Sequence, residues 1–181
     1  MADLNDIVLS PDPRLKQECA TIEEITPEVR ALAERMLADM YEAEGVGLAA
    51  PQVGELVRMV VVDVDWVDED AEPDPYVLIN PEIKVADGEP REFEEGCLSF
   101  PGITAKISRP SHVIVEAYNL DGDLMRYEAE NNLMAVCLQH EIDHVNGVTM
   151  VDHLGPMARM EALAACEQAV AAGARPGQTA S

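Results

Sequence analysis

Aromatic residues are scarce in this chain: one Trp, four Tyr and two Phe make up 4% of its 181 residues. Aliphatic side chains and nine Met must therefore fill the interior, and a 48% hydrophobic content suffices for the core of one compact domain. Cations are scarce too. Twelve Lys and Arg against 35 Asp and Glu leave a formal net charge of −23. Such a surface repels phosphate, which excludes free nucleic acid as a partner. No apolar run approaches the roughly 20 residues of a membrane helix, so no membrane association is expected. The opening Met1-Ala2-Asp3-Leu4-Asn5-Asp6 lacks the basic and apolar regions of a signal peptide. Cys19, Cys97, Cys137 and Cys166 form no Cys-x-x-Cys pair, so free thiols in a reducing cytoplasm are expected. There is no internal repeat.

What is present reads as a mixture of helix and strand. Thr26-Pro27-Glu28 supplies a capping hydroxyl, a Pro at the first helical position and an acid in the first turn. Val29, Leu32, Ala33, Met36, Leu37 and Met40 then recur at helical spacing up to Gly45, the expected stop. Residues 45–54 form a small-residue loop, and residues 56–64 read as a buried strand. Residues 63–75 are acidic and read as an exposed loop. Residues 76–79 and 83–85 read as two short strands split by Asn80-Pro81, and residues 92–101 as an interruption. Residues 112–119 and 124–130 make a hairpin around Asp121-Gly122. Asn131 or Asn132 caps a helix that runs to about Asn146 and stops at Gly147. Pro156 opens a last helix in which Met157, Met160, Leu163 and Ala164 recur on the face expected to pack, followed by a frayed tail over 173–181. The expected fold is α+β: short, mostly antiparallel strands around a central motif-bearing helix, plus a C-terminal helix. The expected division is a catalytic domain over 1–155, then the C-terminal helix and a disordered tail over 156–181.

The central helix carries Gln139-His140-Glu141-Ile142-Asp143-His144, which contains His-Glu-x-x-His. Helical residues four apart share a face, so His140 and His144 can aim two imidazoles at one metal ion. A metal lowers the pKa of a water it binds, and the carboxylate of Glu141 can take the proton. Leu133, Val136, Cys137, His140 and His144 fall along one stripe. The metal would thus lie beside an apolar surface, which suits a substrate with an apolar side chain next to the hydrolysed bond.

A catalytic metal needs three protein ligands and an open position. Cys97, in the polar loop Glu95-Gly96-Cys97-Leu98-Ser99, is the best-placed third ligand; Cys137 is the rival, although its position in the apolar stripe suits a core residue. His112, His153, Cys19 and Cys166 have no motif around them. Amide hydrolysis also needs donors for an oxyanion; the side-chain amide of Gln52 and the backbone N–H of Leu98 are candidates. Gly47 and Gly96 would let a peptide backbone approach closely.

Three segments in order, Gly45-Val46-Gly47-Leu48-Ala49-Ala50-Pro51-Gln52, Glu95-Gly96-Cys97-Leu98-Ser99 and Gln139-His140-Glu141-Ile142-Asp143-His144, resemble the peptide deformylase motifs G-x-G-x-A-A-x-Q, E-G-C-L-S and Q-H-E-x-D-H. The resemblance implies a hydrolase that removes the formyl group from the N-terminal formyl-methionine of newly made proteins. It implies a divalent metal, most often Fe²⁺ with Ni²⁺, Co²⁺ or Zn²⁺ as replacements, held by Cys97, His140 and His144. Glu141 would be the general base, and Gln52 and Leu98 N–H the oxyanion donors. Val46, Phe93, Leu133, Val136 and Cys137 would line the methionine pocket. The peptide would lie extended between the Gly47 loop and the Glu95-Gly96 segment, with little discrimination beyond the first side chain. Some relatives dock on the ribosome through a basic terminal helix. Here residues 156–181 carry Arg159 and Arg175 against Glu161 and Glu167, which leaves weak ribosome association as the expectation. Two rivals stand beside this reading. A general metallopeptidase would leave Cys97 without a role, and a non-catalytic metal-binding or nascent-chain-binding protein would need neither Glu141 nor Gln52.

Overall fold

A computed structural model describes residues 6–66 and 72–178. Helix α1 spans Pro27–Glu42, and the Thr26 hydroxyl accepts the Val29 N–H at its start. It ends earlier than the Gly45 stop suggested. Glu44, not a glycine, takes the left-handed conformation (φ 55°), and the Gly45 N–H returns to Met40 O at 2.9 Å. The small-residue segment that follows is not simply a loop. Gly47–Ala49 forms strand β1, and Ala50–Val53 a 3₁₀ turn.

Strand β2 (Met59–Val62) is shorter than the apolar run 56–64. Strand β3 (Tyr76–Asp87) runs unbroken through Asn80-Pro81, where two strands were expected. Asn80 explains the continuity. It bends the strand at φ 52°, and its side-chain amide replaces a neighbouring strand by accepting Ile22 N–H at 2.9 Å and donating to Ile22 O at 2.8 Å. Strand β4 (Arg91–Glu95) falls in the stretch read as an interruption, and its partner β5 (Ala105–Arg109) lies just beyond it, where no element was expected. The hairpin β6 (His112–Tyr118) and β7 (Leu124–Glu130) matches its expected place. Helix α2 (Leu133–Val145) is capped by Asn132 and is followed by Gly147 at φ 73°. Helix α3 spans Pro156–Ala171.

These strands pair antiparallel with one another: a five-stranded sheet in the order β1-β2-β3-β6-β7, and a two-stranded ribbon of β4 and β5. The period-2 geometry of β2 sends its side chains to two cores. Val60 and Val62 pack with Leu138, Ile142 and Val145 of α2, while Met59 and Val61 pack with Met36 and Met40 of α1. Burial on both faces is why β2 reads as a continuous apolar run. A third cluster joins the ribbon to α3 through Phe100, Ile107, Met150 and Cys166. The packed face of α3 shares only Leu163 with the one expected. Met157 and Met160 are 65% and 59% exposed, whereas Ala162, Leu163 and Val170 meet the third cluster. The tail, expected to be frayed, lies on the surface but is hydrogen-bonded as far as Gln178, whose carbonyl accepts the Gly102 N–H at 2.7 Å; residues 179–181 lie outside the described residues.

Asn80→Ala would strip both Ile22 main-chain groups of their partner and place Ala in the left-handed region. We expect it to lower stability by about 2–4 kcal/mol, read from the urea midpoint; a change below about 0.5 kcal/mol, the ordinary surface range, would overturn this account of the strand.

Candidate active site

Helix α2 is buried along most of its length, so its polar residues must find partners inside the protein. Leu138, Ile142 and Val145 face the sheet. His140 and His144 face the loop after β4, and the ligand atoms of Cys97, His140 and His144 all lie within 4.8 Å of one another. Cys97 Sγ is 3.3 Å from His144 Nε2, and the two imidazoles stand 5.1 Å apart at 68°. The rival Cys137 is turned away, its thiol 3.5 Å from Val46 O, and burial pushes its pKa well up. His153 pairs with Asp143 at 2.7 Å. His112 lies between Asp87 and Glu128 on the surface. Cys19 and Cys166 belong to the apolar cores.

His140 is oriented by a group that spacing alone did not single out as functional. Its Nδ1 is 2.8 Å from Glu95 Oε2. The same carboxylate accepts Arg109 Nε at 2.5 Å and Nη2 at 2.9 Å, and Arg109 Nη1 reaches Asp143 at 2.9 Å. The Arg109 and Glu95 side chains are only 4% and 3% exposed. Burial raises the Glu95 pKa, but His140 and Arg109 outweigh it and hold the carboxyl below its ordinary value. An imidazole whose Nδ1–H meets a carboxylate presents Nε2 to a metal. At His144, burial followed by the nearby His140 charge drives the pKa well down, which favours the neutral form a ligand requires. At His140 burial acts in the same sense, but Cys97 and Glu95 outweigh it and raise the pKa; a proton held there must leave when a cation binds.

Glu141 is buried, and burial pushes its carboxyl up to about 7. Its Oε2 has no hydrogen-bond partner among the described residues. Gly47 is what admits it, because a Cβ at Gly47 would lie 2.6 Å from Glu141 Oε1 and 2.7 Å from Cys137 Sγ. Gln52 is buried, with its Oε1 fixed by Ala49 N–H at 2.9 Å. Its Nε2 is thereby directed to Ser99 Oγ at 3.1 Å and Cys97 Sγ at 3.6 Å.

These groups border a cavity of about 300 Å³. Val46, Gly47, Phe93, Gly96, Leu133, Val136 and Cys137, the expected substrate-contacting set, all line it. So do Gln52, Cys97, Leu98, His140 and Glu141, together with Glu44, Gly45 and the tail residues Gly177 and Gln178. Trp66 and the tail were not anticipated. Trp66 donates its indole N–H to Gly45 O at 2.9 Å and meets Tyr41 edge-on, which steadies one rim. Part of the acidic segment is thus structural: Asp63 is buried and accepts Tyr41 OH at 2.7 Å, while residues 67–71 lie outside the described residues. Arg109 had a signal in the sequence, since it shares the inward face of β5 with Ala105 and Ile107.

Three clustered soft and borderline donors and an enclosed, unpartnered carboxylate oxygen fit a divalent cation. On an α+β scaffold this donor set and the His-Glu-x-x-His helix define a metal-dependent hydrolase. The polypeptide deformylase family profile matches residues 4–160. A peptide deformylase from Hydrogenovibrio crunogenus is 45% identical over 161 residues, covering 89% of this chain and 92% of that protein. One from Rhodopseudomonas palustris is 42% identical over 170 residues, 94% and 97% of the two chains. The crystal structure of a peptide deformylase from Legionella pneumophila superposes with a TM-score of 0.84 at 38% identity, over 92% of this chain and 95% of that one. One from Synechococcus elongatus, in complex with actinonin, gives 0.83 at 39% identity, over 91% and 89%. The chain belongs to the polypeptide deformylase family.

Arg109→Ala would leave the Glu95 carboxylate buried without its cation. We expect a loss of about 3–5 kcal/mol, measured by chemical denaturation; a loss under about 1 kcal/mol would mean that the pair contributes little.

Proposed function

We propose that this protein removes the formyl group from the N-terminal formyl-methionine of new polypeptides, releasing formate, and that Cys97, His140 and His144 hold its metal. Family membership carries the reaction. The enclosed, unpartnered Glu141 beside the three donors is the observation that supports the assignment of roles. The cation is Fe²⁺ in this reading, the usual metal of the resembled family. When bound, it supplies Lewis acidity to water and to the formyl oxygen.

The rest of the chemistry belongs to the chain. Glu141 takes the proton of the attacking water as its oxygen bonds to the formyl carbon. Gln52 Nε2 and the Leu98 N–H donate to the oxyanion that develops. Glu141 then gives its proton to the methionine nitrogen as the C–N bond breaks, so formate and a free amine leave. The aliphatic wall formed by Val46, Leu133, Val136 and Phe93 receives the methionine side chain, and main-chain pairing along Gly47 and Gly96 holds the peptide.

The protein acts in the cytoplasm, and among the described residues no helix is long and apolar enough to cross a membrane. Contact with the ribosome is weak in this reading. The exposed face of α3 includes Met157 and Met160 and has no basic stripe, and Arg159 pairs with Asp152.

Metal-loaded, anaerobically purified protein is expected to release formate from formyl-Met-Ala-Ser. Glu141→Ala is expected to lose roughly 10²–10⁴-fold in kcat, the range for a general base. No release from protein with stoichiometric metal would refute the activity, and an undiminished mutant would refute the base. Varying the second residue should change kcat/KM by less than about tenfold, since main-chain pairing does not read side chains; a strong preference would exclude that mode of binding.

A further inference from the structure

The last described residues are part of the cavity, and no step above uses them. Helix α3 is held against the third core by Leu163, Cys166 and Val170. Beyond it the chain turns at Gly173, and residues 175–178 close a small loop: Gln178 Oε1 accepts Arg175 N–H at 2.8 Å, and Gln178 N–H donates to Arg175 O at 3.1 Å. Gln178 O accepts the Gly102 N–H at 2.7 Å. Gly177, at φ 81°, lies so close to Ala43 that a Cβ would sit 2.2 Å from Ala43 O and 3.6 Å from Leu98 Cδ2. The tail therefore touches the end of the Glu44–Gly45 rim and the Leu98 rim together, and Gly177 and Gln178 line the cavity between them.

We propose that residues 174–178 form a wall of the peptide groove and set affinity for the residues that follow formyl-Met. The proposal rests on the deformylase reading. A polypeptide substrate continues beyond the cavity, so a segment lying across its exit would stop turnover; the tail must lie beside the peptide. There it offers a main chain already fixed by Gly102 and a Gln side chain held by its own turn. Ordered groups of this kind bind without the entropy loss of a free tail. In this reading the methionine itself is received by other lining residues, Leu133, Val136 and Cys137 of α2. The tail thus separates recognition of peptide length from recognition of the first side chain.

The test compares metal-loaded full-length protein with Gly177→Ala and with a chain ending at Ala172, on formyl-Met amide and formyl-Met-Ala-Ser. In both variants kcat/KM for the tripeptide is expected to fall roughly fivefold through KM, while that for the amide moves by less than about twofold. Faster exchange of the Gly102 amide would report that the tail has left its seat. An unchanged tripeptide-to-amide ratio with Gly102 exposed would overturn the proposal, as would a ratio that shifts towards the tripeptide, the mark of an obstructing tail. Failure of the wild type on both substrates would instead refute the deformylase reading, and the wall with it.

Discussion

The site depends on one buried carboxylate. Glu95 ends β4, two residues before Cys97, and its oxygens are divided between Arg109 on the neighbouring strand and His140 on α2. It therefore joins the ribbon to the helix that supplies two of the three candidate ligands, and does so next to the third. A lone carboxylate at 3% exposure would be expelled or protonated. Two partners of opposite tendency, a permanent guanidinium and an imidazole N–H, keep it ionised. Arg109 is in turn held by Asp143, one residue before His144 and one turn of helix beyond His140. The network closes on itself, so the separation of Cys97 from the two histidines is fixed on both sides.

Around this polar knot the packing is apolar, and the contrast produces the chemistry. Glu141 stands next to His140 in sequence, yet it has none of the partners that Glu95 has. Burial raises its carboxyl to about 7, so in the absence of a cation it holds and releases a proton near neutrality, the property of a general acid–base group. Two glutamates, one depressed and one raised, thus come from environments a few ångströms apart. Gly47 marks the same economy of space: the cavity wall approaches Glu141 so closely that only hydrogen fits.

Much of this was legible in the sequence. The 3.6-residue stripe from Leu133 to His144, the Asn132 cap and Gly147 are local signals, and α2 formed where they placed it. Part of the cavity lining was legible too: the motifs hold Val46, Gly47, Gln52, Gly96 and Cys97, and the helical stripe holds Leu133, Val136 and Cys137. What escaped had long-range causes. Arg91-Glu92-Phe93-Glu94-Glu95 has one apolar residue in five, and it is a strand only because β5 pairs with it residue by residue from Arg109 to Ala105. Asn80-Pro81 reads as a break unless Ile22 is known to lie beside it. The Glu95–Arg109 pair spans 14 residues, and although the alternation of β5 turns Arg109 inward, nothing local names Glu95 as its partner. The tail has the Gly and Pro content of a flexible end, and its order comes from Gly102 and Ala43, far off in sequence.

The acidic composition takes on meaning once the cavity is placed. Of the few cations, Arg109 is committed to Glu95 and Arg58 to Asn146 and Pro81. Glu44, Glu94, Glu95 and Glu141 all border the cavity. Such a field attracts a dication and opposes accumulation of anions. Hydrolysis of a formamide turns a neutral bond into formate and an amine that is free to protonate. Among the described residues no Lys or Arg lines the cavity to retain formate, and the buried Arg109 guanidinium nearby is already neutralised by two carboxylates. The same pairing that orients His140 therefore keeps Arg109 from holding the product.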